Sequence, residues 1–104
     1  MGDSETEYIV ELQPKIAQRL EELDFISERD VLAHSLAEIA SRSRTLDQHA
    51  LPLFLSLDAR HRHGLAEVTV ALKNHLDAMQ DAITDARPSL NALVDFLLRE
   101  EQQG

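Results

Sequence analysis

The sequence predicts an all-α protein, a small bundle of four or five helices that is completed by homodimerisation. Leucine and alanine, which are strong helix formers, make up most of its apolar residues. Turn-forming residues are scarce, since only 3 glycines and 3 prolines occur in 104 residues. This length suits a single domain over residues 1–104, with loose ends expected at 1–4 and 101–104.

The first helix is predicted by a capping box followed by an apolar stripe. Ser4 and Glu7 have the spacing of such a box, in which each side chain satisfies a backbone N–H of the other residue. Apolar residues then recur at steps of three and four, at Ile9, Leu12, Ile16, Leu20 and Leu23. Pro14 lies opposite this stripe, so we expect it to bend the helix or to set its start one turn later.

A second helix is predicted to begin at an N-cap in residues 27–30, with Asp30 in its first turn. Leu32, Leu36 and Ile39 share one side of this helix. Ala33 and Ala37 lie beside them and would let a neighbouring helix approach closely. The pattern fades around residues 42–46.

The segment HALPLFLSL, residues 49–57, is apolar on every side if it is helical. As a strand it would have nothing to pair with except a copy of itself, so a helix is favoured, with Pro52 near its first turn. A helix without a polar face belongs in a core or in an interface, and a domain this small cannot easily enclose one. We therefore expect a self-association surface, whose residues here are Leu51, Leu53, Phe54, Leu55 and Leu57.

Two further helices are expected after Gly64. The first has its apolar stripe at Leu65, Val68, Leu72, Leu76, Met79 and Ile83. The second begins at Arg87-Pro88, with its stripe at Leu90, Leu93, Val94, Leu97 and Leu98. Val70 and Phe96 point away from these stripes, so we add both to the predicted interface.

The formal net charge is −9, and it is unevenly distributed. Residues 1–30 carry nine acids and three bases, whereas residues 31–64 carry three acids and four arginines. The net sign disfavours direct nucleic-acid binding, which depends on cationic charge. We expect the central arginines to face the acidic first helix of the same chain or of a partner; they are Arg42, Arg44, Arg60 and Arg62.

The segment LDARHRHG, residues 57–64, has the densest chemistry of the chain. On a helix His61 and His63 are about 200° apart and cannot hold one ion, while His63 and Glu67 supply two ligands where a metal needs three or four. We therefore expect a solvated helix end with cationic residues near its C-terminus, and keep His61, His63 and Glu67 as weak metal candidates only. No catalytic residue is predicted: Asp95, the only mild candidate for a general acid, is expected to face outward.

The sequence also indicates where the protein works. It has no cysteine, no long apolar run and an acidic N-terminus, so we expect a cytoplasmic protein without a cofactor or a membrane partner. Gly2 fits a loose myristoylation pattern, but a single acyl chain next to acidic residues would anchor poorly.

Three functions remain open at this stage. The first is a non-enzymatic helical interaction module, a scaffold, adaptor or assembly factor that acts as a homo-oligomer. The second is an acidic inhibitor or decoy that blocks a basic surface of another protein, such as a nucleic-acid-binding cleft. The third is a metal or ligand carrier that uses the His61/His63 region.

Overall fold

The computed structural model describes the backbone of residues 4–103 and the side chains of residues 7–99. Five helical elements follow one another: α1 (Ser4–Glu22), α2 (Arg29–Thr45), a π-helical turn (Leu46–Ala50), α3 (Leu51–Ser56) and α4 (Arg62–Gln103). The acylation pattern at Gly2 and the side chain of Ser4, on which the capping box depends, lie outside this description. The backbone of residues 4 and 101–103 is helical, while the single domain over 1–104 with loose ends at 1–4 and 101–104 stays a prediction.

The all-α class is confirmed, but the expected bundle of four or five helices is not what the chain forms. The described residues contain no strand, and α2, the π turn and α3 run on without a break, so the chain has three helical segments. The segment α2 packs against α1 and against α4. The helix α2 is therefore the element that contacts both α1 and α4.

The helix α1 ends in a Schellman motif built without glycine. The N–H of Phe25 donates to the carbonyl of Leu20 at 2.9 Å, and the N–H of Asp24 donates to that of Glu21 at 3.0 Å. Asp24 takes the left-handed conformation at φ 62° that this motif requires. The motif brings Phe25 back onto Leu20 in the core cluster, a role for Phe25 that the sequence pattern did not predict. Pro14 lies inside α1, which starts at Ser4 and not one turn later.

An N-cap at Ser27 would start α2 at Glu28, whereas α2 starts at Arg29. Glu28 occupies the N-cap position without a side-chain capping bond, and Asp30 lies in the first turn as expected. The π turn then leads into α3, which confirms the helix that the sequence favoured over a strand. The turn precedes Pro52, whose ring would meet the carbonyl of Gln48 in a regular α-helix, so the wider turn relieves that clash.

The prediction of two separate helices after Gly64 is wrong, because α4 is one helix of 42 residues that passes through Pro88. Pro88 has no backbone N–H, so the carbonyl of Thr84 lacks its usual donor within the helix. Both residues are exposed, so water can donate to this carbonyl instead. The face of α4 that packs on α2 also continues across this point, through Ala86 and Ser89. Tertiary packing therefore overrides the local signal of Arg87-Pro88.

The buried face of α4 agrees only in part with the predicted stripes, because Val68 is buried and Leu65, Leu72 and Met79 are half-buried, whereas Leu76 and Leu90 are exposed. Val68, His75, Ala82, Ser89 and Phe96 recur every seven residues and are buried or half-buried. A seven-residue repeat is the geometry of two helices that stay in contact over a long distance. Ala82 and Ser89 let α4 approach α2 closely, and this turns several leucines of the predicted stripe toward solvent.

The molecule is elongated, with extents of 63 × 25 × 17 Å and a radius of gyration of 17.6 Å. A compact domain of this length has a radius of gyration of about 13 Å. The core cluster is correspondingly small: its buried members are Leu20, Phe25, Leu32 and Ala86. Much of the apolar surface of the helices is therefore left without cover from the same chain.

Candidate interaction surface

The helix α3 is the least covered apolar element of the fold. None of its six residues is buried, although four of them are large and apolar. These four form the α3 surface, which consists of Leu51, Leu53, Phe54 and Leu55, all exposed, with Leu55 at 77%. Leu57, the fifth residue that the sequence assigned to this interface, is half-buried just beyond the helix. Leu57 is partly covered by its own chain, because it lines the adjoining cleft.

This cleft lies between α3 and the first half of α4 and has a volume of about 480 Å³. Leu53, Leu57 and Val68 form its apolar walls, and His49 and His75 also line it. A methyl carbon of Leu57 packs over Gly64, where a Cβ atom would lie 3.3 Å from it. The missing side chain at position 64 is thus what lets Leu57 close down on α4.

His75 connects this cleft to α2. An Nη1–H of Arg42 donates to Nδ1 of His75 at 3.3 Å, and Nε of Arg42 lies 3.8 Å from a carboxylate oxygen of Glu38. Because arginine has no acceptor, this bond assigns the Nδ1 atom of His75 as an acceptor and leaves the ring proton on Nε2. His75 is therefore a structural contact between α2 and α4.

The segment LDARHRHG is not the C-terminal helix end that the sequence suggested. Residues 57–61 form a connection, and Arg62 and His63 begin α4, at the end of a helix where the macrodipole disfavours cations. Nδ1 of His61 lies 3.0 Å from Asp58, and Nε2 of His63 lies 3.0 Å from Glu67. The two histidines thus belong to separate pairs.

Asp58 organises this connection through three further contacts. Its carboxylate accepts a hydrogen bond from the backbone N–H of Arg60 at 2.8 Å and one from the Arg60 guanidinium at 3.2 Å, and its carbonyl accepts one from the N–H of His61 at 3.0 Å. The side-chain bond from Arg60, helped by the backbone bond, lowers the pKa of Asp58 below its usual range. The charged side chains of Asp58 and Arg60 therefore stabilise the turn that connects α3 to α4.

The other two predicted interface residues have different environments. Val70 is exposed, in keeping with its position off the predicted stripe. Phe96 is half-buried and packs on the core cluster, with its ring centroid 5.5 Å from that of Phe25. The structure therefore places Phe96 in the core of its own chain, because the seven-residue repeat of α4 turns position 96 toward α2.

The central arginines are spread over several partners. The Arg44 guanidinium lies 4.6 Å from the ring centroid of Tyr8 on α1, which matches the expected approach to the first helix. Arg42 contacts α2 and α4 instead, and Arg60 pairs with Asp58. On α1 itself, Glu21 and Glu22 form ion pairs within the chain, with Arg29 and Arg19.

A second apolar surface lies along α4 and consists of residues from the two predicted apolar stripes. We name it the outer α4 stripe: Leu76, Ile83, Leu90, Val94 and Leu97. Ile83 is half-buried and the other four are exposed, Leu76 at 56%. A shallow groove of about 220 Å³ lies at the middle of the stripe, lined by Ile39, Ile83, Ala86, Arg87, Leu90 and Asn91. The seven-residue spacing of Leu76, Ile83, Leu90 and Leu97 was the signal in the sequence that could have identified it.

Among residues 7–99 no three histidine, aspartate or glutamate side chains come together in a way that could hold a metal ion. Asp95 is exposed on α4. Among the helices that the structure describes, none is both long and apolar enough to cross a bilayer. The exposed side chains of α3 and of the outer α4 stripe provide apolar contact area.

Comparisons of the chain with protein-family models, with curated proteins and with solved structures each find no match.

Proposed function

We propose that the protein is a non-enzymatic helical interaction module, a scaffold, adaptor or assembly factor that acts as a homo-oligomer. The observation that carries this proposal is the α3 surface. The four large apolar side chains of this helix stay 37–77% exposed, so their own chain supplies only part of the stability that full burial would give. The helix gains stability when another surface covers it.

The balance between buried and exposed apolar residues supports the same proposal. In the described part of the chain, the large apolar side chains that are buried are Leu20, Phe25, Leu32 and Val68. Those that are exposed are Val10, Ile26, Val31, Leu51, Leu53, Phe54, Leu55, Val70, Leu76, Leu90, Val94, Leu97 and Leu98. Full burial of one such side chain contributes about 1.5–3 kcal/mol. Association would therefore add substantially to the stability of a fold with a small core.

The partner that we propose first is a second copy of the same chain. Homodimer interfaces are large and apolar and resemble a domain core cut in half. The α3 surface is apolar in the same way, and it lies in the part of the chain where charge repulsion between copies is weakest, since residues 31–64 carry three acids and four arginines. We also propose the cytoplasm as the location, because a chain without cysteine suits a reducing compartment.

The test is the solution mass as a function of concentration, measured by sedimentation equilibrium. The wild-type chain is expected to exceed the mass of one chain, and a variant with Leu51→Ser and Phe54→Ser is expected to associate at least tenfold more weakly. Val10→Ser with Ile26→Ser is the matched control, because it removes exposed apolar side chains that lie outside α3. Circular dichroism checks that both variants remain helical.

A wild-type chain that stays a single subunit at every concentration would overturn the proposal. Salt separates it from the acidic-decoy alternative, since association through apolar surfaces persists at high ionic strength whereas binding by charge is screened. Equal weakening by the α3 variant and its control would show that α3 is not the contact surface.

A further inference from the structure

The outer α4 stripe has a regularity that its own chain does not use. Leu76, Ile83, Leu90 and Leu97 are spaced by seven residues, with Val94 between the last two. The buried face of α4 also repeats every seven residues, but it lies on the side of the helix that packs on α2. The long helix α4 thus carries two seams, one filled by α2 and one exposed along about 32 Å of helix.

We propose that the outer α4 stripe is a second self-association surface, on which α4 of another copy lies antiparallel, with the two-fold axis passing close to Arg87. The inference rests on the proposed function in one respect, namely that the chain associates with itself. It assigns that association to a surface that is separate from α3.

The repeat itself indicates what kind of partner fits. A seam with a seven-residue period stays in contact only with another helix that follows the same period over the same length. Among the described elements, α4 is the helix that has such a second seam. The spacing is also the same in both directions along the helix, so an antiparallel copy places Leu76 opposite Leu97 and Ile83 opposite Leu90. A closed, self-complementary contact follows.

The shape of the surface supports the same register. The groove of about 220 Å³ lies at the centre of the stripe, between Ile39 of α2 and Leu90 of α4. In the antiparallel register the Leu90 side chain of the second copy comes opposite Ile83, at this groove. A side chain that enters a hole between residues of the facing helices is the packing on which such helix pairs depend.

Charge favours the antiparallel orientation over the parallel one. A parallel pair in register would place every charged residue of α4 beside its own copy, including Lys73 and its ion-pair partner Asp77, whereas the antiparallel register does so only near the two-fold axis. Arg87 lies next to its own copy near the two-fold axis in this register. This like-charge contact lowers affinity, and the neutral variant Arg87→Leu is therefore expected to associate more tightly.

Single cysteines provide the test, since the chain contains no cysteine of its own. Arg87→Cys is expected to form a disulfide-linked dimer in a glutathione redox buffer, because its two copies lie close to the axis. Gln80→Cys is the matched control: its two copies would lie about 20 Å apart along the helices, well beyond the reach of a disulfide. A mixture of Gln80→Cys and Val94→Cys chains is expected to link, since position 80 lies within one residue of the level of position 94 in the second copy and both lie on the stripe side of α4.

Disulfide formation by Gln80→Cys alone, to the same extent as by Arg87→Cys, would show a parallel pair and overturn the inference. Disulfide formation by neither cysteine variant would overturn it as well. Leu90→Glu adds a charge to the stripe and is expected to weaken association at least tenfold, whereas Asn74→Glu adds the same charge on the opposite side of α4 and is expected to leave it unchanged.

The result separates this inference from the proposed function. A chain that associates, loses that association with the α3 variant and is unaffected by Leu90→Glu retains the proposed function and refutes the α4 pairing. A chain that is monomeric throughout refutes both. When both surfaces are used, each variant stops assembly at a dimer while the wild type goes beyond one, because two separate two-fold contacts on one chain continue the assembly.

Discussion

The Ser89 hydroxyl donates a hydrogen bond to the carboxylate of Glu28, with 2.5 Å between Oγ and Oε2, and this bond ties the middle of α4 to the start of α2. Ser89 is buried and Glu28 is half-buried, so the bond forms between groups that are largely removed from water. Glu28 also occupies the N-cap position of α2, where the macrodipole favours a negative charge.

Ser89→Ala is expected to lower the free energy of unfolding by about 2 kcal/mol, because a hydrogen bond to a charged group is lost and the carboxylate keeps its partial burial. Glu28→Gln keeps an acceptor at the same place and should cost about half as much. Urea denaturation of the two variants measures this. A loss with Glu28→Gln and none with Ser89→Ala would show that the charge at position 28, and not the bond from Ser89, is what matters.

Phe96→Ala is expected to destabilise the fold by about 2–3 kcal/mol, less than a fully buried phenylalanine would, since its ring is half-buried against Phe25. A double-mutant cycle with Phe25→Ala should give a coupling energy of about 1 kcal/mol. The sequence reading assigned Phe96 to an interface, and in that case the variant would change the solution mass with little effect on unfolding. Denaturation together with sedimentation decides between the two roles.

Asp24→Gly is expected to stabilise the protein by about 0.5–1 kcal/mol. Asp24 has φ 62°, which costs energy for a residue with a side chain and very little for glycine. Asp81→Gly, at an exposed position within α4, is the control and should cost about 0.3 kcal/mol, the difference between the helix propensities of aspartate and glycine. Thermal or urea denaturation of both variants checks the opposite signs. A loss of stability with Asp24→Gly would contradict a strained backbone at this residue.

Acidification is expected to loosen the connection before α4. The hydrogen bond from Arg60 lowers the pKa of Asp58 in the folded state, so the stabilising contribution is present above the unfolded pKa and is lost as the pH falls through the folded pKa. Arg60→Ala should raise the pKa of Asp58 toward its usual value. A carboxyl NMR titration of Asp58 in both chains measures this. An unchanged pKa in the variant would show that the guanidinium is not the cause.

Local sequence signals predicted some features of the fold and missed others. The high content of leucine and alanine predicted the all-α class, and the apolar segment at residues 49–57 predicted the helix α3. Both properties depend on residues that are close together in the chain. Arg87-Pro88 and the fade after Arg42 were read as helix boundaries, yet both lie where packing or a π turn carries the helix onward. A local signal of a few kcal/mol is outweighed when a long face packs on a neighbour.

The sequence by itself determined the helical class, the exposed apolar character of α3 and the separate pairing of His61 and His63. Only the tertiary structure decided which face of α4 meets α2. The small side chains of Ala82, Ala86 and Ser89 allow the closest approach of the two helices, so this face packs inward and Leu76 and Leu90 turn outward. Hydrophobic periodicity locates the apolar side of a helix, but the depth of contact that a neighbour can reach selects the part of that side that is buried.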